Sequence, residues 1–265
     1  MTEAGTWAYL QSSTDTLSCI FLQSSTIIIA INYDAVMNTL TKVFNLTLTS
    51  DLDLSTLQVG EGCKLISFGT KVYTLSLTSM TLINTFSSAI QASSTDLTYV
   101  ISGGLLHRLQ SGTYRQIQTL TTFNKYKIRS SQDQLVIYGW SSTTSANITT
   151  VNMRLYVCMY QTSLSIINNF NVTSSNSPLN YIPVMISPSL TKIHYVSYAG
   201  SAITHVFKQV DFSGKTVTDI EQKSADRFLS TTANMNQFSQ SNYFLGDSHL
   251  VIRNDSSSAG SSNYF

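Results

Sequence analysis

Apolar residues recur along this 265-residue chain in short alternating runs, each preceded by a polar stop and broken by a tight turn. β-Branched and aromatic residues dominate the runs and helical periodicity is nearly absent, so the pattern predicts strands throughout. Three copies of stop and strand are clearest: Ser12-Ser13-Thr14-Asp15 before Leu17 to Leu22, Ser93-Ser94-Thr95-Asp96 before Leu97 to Ile101, and Ser130-Ser131-Gln132-Asp133 before Leu135 to Tyr138. Aligning the strands that follow gives Thr26 to Leu46, Lys71 to Ile90, Leu105 to Phe123, Met153 to Val172, Ala202 to Ile220 and a weaker copy from His249 to Phe265. The segments ending at the stops supply a first strand to each copy: Trp7 to Ser12, Thr56 to Gly60, Ala89 to Ser93, Tyr126 to Ser130, Tyr181 to Ser187 and Arg227 to Thr231. Five or six units of about 45 residues result, the length of one supersecondary unit that buries its apolar face only against its neighbours.

Turn chemistry supports this register. Gly69-Thr70, Gly103-Gly104 and Ala199-Gly200 are short hairpin connections, and Ser111-Gly112 and Ser213-Gly214 mark the next hairpin in two units. Pro178, Pro183 and Pro188 fall together between the fourth and fifth units, where residues that cannot donate to a ladder mark a loop or an edge. Ser141 to Thr149 and Asn169 to Asn180 read as polar insertions, hence as loops and contact surfaces.

Ser94-Thr95-Asp96-Leu97-Thr98-Tyr99-Val100-Ile101-Ser102-Gly103-Gly104, with Gln116-Ile117-Gln118-Thr119-Leu120 on the return strand, resembles the degenerate blade of the YVTN and WD40-like β-propellers. In that superfamily a Ser-x-Asp turn precedes a Tyr-Val strand and the last strand carries a Thr-Ile pattern. The resemblance implies an all-β, six-bladed β-propeller with blades of about four antiparallel strands. The ring would be closed by the N-terminal strand, Thr6 to Gln11, pairing with the last unit. Residues 1–255 would form a single propeller domain, and 256–265 a flexible Ser-rich tail or a linker to further chain. The Trp-Asp and Gly-His dipeptides of WD40 blades and the repeated double glycine of kelch blades are missing, so no subfamily function transfers.

Only 11% of the chain is charged, whereas Ser and Thr make up roughly 28% of it, well above ordinary usage. The surface is therefore expected to be built of hydroxyls and amides. The 42% hydrophobic share, with 14 Tyr and 12 Phe, supplies a core. With a net charge of +1 and no evident basic cluster, nucleic-acid and anionic-membrane partners are not expected. The longest apolar candidate, Thr26 to Ile31, is far too short to insert as a membrane helix, and Met1 to Gly5 lacks the pattern of a signal peptide. The chain reads either as intracellular or as a processed or excised piece.

Cys19, Cys63 and Cys158 are odd in number and sit in apolar runs, as buried free thiols or with a Cys19–Cys63 bridge between neighbouring units. Four glycosylation sequons begin at Asn45, Asn147, Asn171 and Asn254. Asn147 and Asn171 fall in the polar insertions and Asn254 precedes the tail, where a glycan fits; an occupied site would put the protein in the secretory pathway.

Catalytic signatures are scarce. There is no Gly-x-Ser-x-Gly elbow, no phosphate-cradling glycine loop and no His-Glu-x-x-His motif. Asp51, Asp53 and Glu61 are the one compact acidic group, read as a solvated edge or a calcium or catalytic cluster. If Ala199-Gly200 is the hairpin loop, His194 faces His205 across the sheet, but zinc wants a third ligand and none is evident. His107 and His249 stand alone, and Tyr195, Tyr198 and Phe207 read as sheet packing. No catalytic, metal or cofactor residue is therefore assigned, and no cofactor is expected.

The expected function is a non-catalytic structural or interaction module, extracellular or at the cell surface, docking to other proteins or to copies of itself. An intracellular scaffold is the alternative location. A carbohydrate-binding propeller, with glycans as partners of its Tyr-, Asn- and Ser-rich loops, is the alternative function. A glycan-active or quinoprotein-like enzyme stands third, because it needs convergent acidic or cofactor-binding groups.

Overall fold

The computed structural model describes residues 6–12, 16–24, 27–34, 36–47, 56–60, 65–75, 80–177, 180–200, 202–224, 243–247 and 250–252. Among these the chain is all-β, with no α-helix. Five four-stranded antiparallel meanders follow one another. The first is β1 (Thr6–Ser12), β2 (Thr16–Ser24), β3 (Ile27–Asp34) and β4 (Thr39–Thr47). The second is β5 (Gln58–Val59), β6 (Leu65–Phe68), β7 (Lys71–Leu75) and β8 (Met80–Thr85), and the third β9 (Ile90–Ser93), β10 (Tyr99–Ser102), β11 (Leu105–Gln110) and β12 (Thr113–Thr119). The fourth is β13 (Lys125–Ser131), β14 (Gln134–Ser145), β15 (Ile148–Tyr160) and β16 (Leu164–Ser175), and the fifth β17 (Val184–Ile186), β18 (Lys192–Ala199), β19 (Ala202–Asp211) and β20 (Thr216–Ser224). A hairpin of β21 (Tyr243–Leu245) and β22 (Leu250–Ile252) comes last. The first strands expected for the five meanders all fall on β1, β5, β9, β13 and β17. The expected Arg227 to Thr231 strand and the 256–265 tail lie outside the described residues.

The chain divides into two compact units, residues 1–120 and 121–265. In the first unit, Val72, Phe86, Leu97, Val100 and Tyr114 form a core cluster. In the second, a larger cluster joins the fourth and fifth meanders, with Val136, Tyr138, Val151, Met153 and Leu155 on one side and Ile193, Tyr195, Val206 and Val210 on the other. A parallel pair, Ser175 with Ala199, links these two meanders.

The turns at Gly69-Thr70, Gly103-Gly104 and Ser111-Gly112 sit where the sequence puts them. Gly103 and Gly104 have φ of 59° and 76°, the pair of left-handed residues that a tight hairpin matching strand twist requires. One expected turn is displaced. Ala199 is still in the strand and pairs with Ala202, so the connection begins at Gly200 and not at Ala199. Gly200, at φ 65°, takes the first left-handed position, which an alanine would fill only under strain.

The expected polar loop from Ser141 to Thr149 is instead the far end of a long hairpin, in which β14 and β15 pair from Gln134–Met159 out to Ser145–Ile148. Threonine suits a pleated surface, and Thr144 and Thr149 share a cross-strand hydroxyl hydrogen bond of 3.1 Å. Asn169 to Ser175 likewise belong to β16 and not to an insertion.

The polar stops also sort differently from their sequence. Ser94 Oγ accepts the Tyr99 N–H at 2.9 Å and donates to Asp96 Oδ1 at 2.6 Å, while the Thr98 N–H donates to the same oxygen at 2.9 Å. Leu97, with φ 59°, is buried beneath this turn. Ser187 to Lys192 repeats the wiring: Ser187 Oγ accepts the Lys192 N–H at 3.1 Å, Leu190 has φ 60° and is buried, and Ser189 stands in the place of Asp96. Ser130 to Asp133 does not repeat it. Ser131 pairs with Gln134, so Gln132 and Asp133 are a two-residue hairpin loop.

Candidate functional site

Strand β13 is an edge strand of the second unit's sheet, paired only to β14. Its register puts Lys125 opposite Trp140, Lys127 opposite Tyr138 and Arg129 opposite Val136. Side chains alternate along a strand, so the three basic residues share one face with the two aromatic ones. Lys125 and Arg129 are exposed and Lys127 is half-buried. Among the described residues no carboxylate forms an ion pair with any of the three; Lys208 and Asp219 pair elsewhere. The Lys127 ammonium is held below the ordinary lysine range, first by burial and then by the Arg129 charge.

Aromatic rings floor this face. Tyr138 stacks on Trp140 at 5.8 Å between centroids, and Trp140 meets Tyr181 at 6.4 Å. Burial pushes the Tyr138 phenol up, while the Arg129 charge pulls it down and Tyr181 raises it again. Tyr198 is pushed up by burial and then by Tyr181. Its hydroxyl is buried without a hydrogen-bond partner among the described residues. Tyr138 and Trp140 are themselves buried in the core of this unit, whereas Lys125 and Arg129 are exposed, so what the face offers to solvent is a row of cations suited to an oxyanion.

Neither Lys127 nor Arg129 was singled out by the sequence, where three basic residues in a chain of net charge +1 do not form a run. The signal is the alternation in Lys125-x-Lys127-x-Arg129, which a strand turns into a single-faced row. A basic cluster therefore exists where none was evident.

The histidine pair forms, by a different route. His194 lies directly opposite Phe207, two positions from the expected partner, with the rings stacked at 4.4 Å. His205 is its diagonal neighbour on the same face, and His194 Nε2 and His205 Nδ1 are 3.1 Å apart. The ring planes differ by only 7° and the centroids lie 5.3 Å apart, close to the largest value that this nitrogen separation allows. The two nitrogens thus point straight at each other. A cation between them would sit about 1.6 Å from each, closer than the 2.0–2.1 Å of a zinc–imidazole bond, so the pair is a hydrogen bond and not a chelate. Burial, then the second imidazole, lowers His194 to about 3, and burial lowers His205. No group of three or more His, Cys, Asp or Glu that could hold a metal exists among the described residues.

The other candidates are scattered. Asn147 is exposed at the tip of the β14–β15 hairpin, and Asn171 is exposed on β16 opposite Arg154. Asn45 lies in β4, paired with Ile29. Asn254, Asp51, Asp53, Glu61, Cys63 and His249 lie outside the described residues, so neither the acidic group nor a Cys19–Cys63 bridge is described. Cys158 is a buried free thiol, pushed up to about 12 by burial. His107 packs edge-on against Phe86 at 4.8 Å.

No family model and no curated protein matches this chain. Solved structures similar to it include an oligogalacturonate lyase in complex with manganese (9% identity, 83% of this chain and 66% of that chain, TM-score 0.46). The periplasmic gluconolactonase of Pseudomonas aeruginosa (9%, 97% and 84%, TM-score 0.43) and the WD40 domain of SCAP from fission yeast (10%, 84% and 66%, TM-score 0.41) are also similar. The chain spans 66% of the length of the lyase and of the WD40 chain. These neighbours are all-β proteins of the β-propeller kind, and at such values none assigns a reaction or partner. The expectation of a non-catalytic docking module is corrected: a lyase and lactonases stand among the similar structures.

Proposed function

We propose that the chain is a six-bladed β-propeller, its ring completed by the N-terminal strand, that binds an anionic, hydroxyl-rich small molecule of the sugar-acid class. Five successive meanders of similar make-up and a sixth hairpin support the blade count, and β1, an edge strand of its sheet, is available to complete the ring. The observation that carries the ligand reading is the row of Lys125, Lys127 and Arg129 along the edge strand β13, without a carboxylate among the described residues to neutralise it. The guanidinium of Arg129 presents a planar fork to an oxyanion.

Calorimetric titration with galacturonate and with galactose, the same ring without the carboxylate, tests this reading. Galacturonate binds at least about tenfold more tightly, and the Lys127→Met/Arg129→Met variant abolishes the difference, each charge-assisted contact contributing about 1.5–3 kcal/mol. Equal binding of the two sugars overturns the anion reading.

A further inference from the structure

We infer that Asn147 is an N-glycan acceptor displayed on a projecting hairpin, which puts the protein in the secretory pathway. The sequon Asn147-Ile148-Thr149 is one of four, and the geometry sets it apart. The β14–β15 ladder runs twelve residues out to Ser145–Ile148, whereas β13 accompanies it only as far as Trp140. Residues 141–145 therefore extend past their neighbour on that side. Ala146 and Asn147 form the two-residue tip with φ of 48° and 64°, a left-handed pair that turns the Asn147 side chain away from the ladder. Asn147 is exposed, and Ile148 beside it is 46% exposed, a large apolar side chain at a tip otherwise made of hydroxyls and amides. A sugar ring linked to Asn147 covers that side chain without displacing any packed group.

Asn171 differs. It sits inside β16 opposite Arg154, and the hydroxyl of its sequon residue Thr173 donates to Asn152 Oδ1 at 3.1 Å. The hydroxyl of the sequon threonine near the tip, Thr149, shares its hydrogen bond with another exposed hydroxyl, Thr144.

The transfer needs a lipid-linked glycosyl diphosphate as donor. The Asn147 amide nitrogen attacks the anomeric carbon, the carbon–oxygen bond to the diphosphate breaks with its electron pair, and the amide loses one proton to a base. Nothing is oxidised or reduced.

Trypsin separates the two candidates. Cleavage after Arg129 and Arg154 releases Ser130 to Arg154 with Asn147 as its one sequon, and the next peptide, Leu155 to Lys192, carries Asn171. Protein purified from its own cells is digested before and after peptide N-glycosidase treatment. The expected result is that the Ser130–Arg154 peptide appears with Asn147 converted to Asp only after treatment, and that Thr149→Ala abolishes the modification while leaving the far-ultraviolet circular dichroism unchanged. Recovery of that peptide from untreated protein entirely unmodified overturns the inference, whatever the state of Asn171.

Discussion

Ser189 donates through both its backbone N–H, at 3.3 Å, and its hydroxyl to the carboxylate of Asp247, 58 residues further along the chain. Asp247 thereby supplies to the Ser187–Lys192 turn the charge that Asp96 supplies within its own turn. Hydrogen bonding, first from Ser189, holds the Asp247 carboxyl below the usual carboxylate range. Asp247→Ala is expected to speed amide hydrogen exchange at Ser189 and Leu190 severalfold and to leave Leu97 and Thr98 unaffected. Equal protection at both turns in the variant would show that Asp247 is a bystander.

Asp96 serves its turn from within it. Burial pushes its carboxyl up, and hydrogen bonds from Ser94 and Thr98 together more than offset this, leaving it below 3.8. Its contribution is therefore present above the unfolded carboxylate pKa and is lost as pH falls through the folded one. Asp96→Ala is expected to cost about 1–2 kcal/mol, at the lower end for a charged acceptor because the group is partly solvated. Urea unfolding at neutral pH measures it.

Burial of the His194–His205 pair, and then the charge of the second imidazole, make the second unit acid-sensitive. His194 is 1% exposed and its folded pKa, about 3, lies below the unfolded 6.5, so the unfolded chain takes up more protons below that pH. The contribution is intact above pH 6.5 and is lost progressively toward pH 3. Roughly 2 kcal/mol should go between pH 6.5 and pH 5, at 1.36 kcal/mol per unit. Urea midpoints for the protein and for His194→Leu/His205→Leu across this range should diverge at high pH and converge at low pH. Parallel curves would refute the assignment.

Gly139 lies where the rings of Tyr126 and Phe123 cross β14. A Cβ there would meet Tyr126 Cε1 at 2.6 Å and Phe123 Cδ2 at 2.8 Å. The Tyr126 hydroxyl donates to Thr121 O at 2.6 Å, so the ring has little freedom to retreat. Gly139→Ala is expected to destabilise by about 1–3 kcal/mol, as overpacking does. Thermal unfolding provides the check.

Ala146 carries a side chain in a left-handed position. Ala146→Gly should stabilise the hairpin by about 1 kcal/mol, the cost of that conformation for an L-residue. A lower melting temperature in this variant would mean that the tip is not the two-residue turn described above.

The meander pattern is legible in the sequence because alternation and left-handed turn residues are local signals. First strands at Trp7 and Tyr126 and the turns at Gly69 and Gly103 follow from neighbouring residues alone. What is not local is not legible. The Ser130–Asp133 stop looks like the Ser94–Asp96 turn but is tighter, since its strands pair right up to Gln134. The Ser187–Lys192 turn lacks the aspartate that marks such stops, because its carboxylate comes from Asp247. The displaced hairpin at Gly200 still brings His194 to His205, because a shift of two residues keeps the same face toward the same neighbours. The basic row escapes a reading by net charge because its members are set apart by Tyr126 and Ile128, which point to the other face.

The proposed binding depends on Lys127 being a cation that meets an anion. Titrating its side-chain amine by NMR, with and without galacturonate, tests this most directly. The account predicts titration below the ordinary lysine value of about 10.4 in the free protein and an upward shift when the carboxylate arrives. An amine that titrates at or above that value in the free protein, and does not move when galacturonate is added, would contradict it.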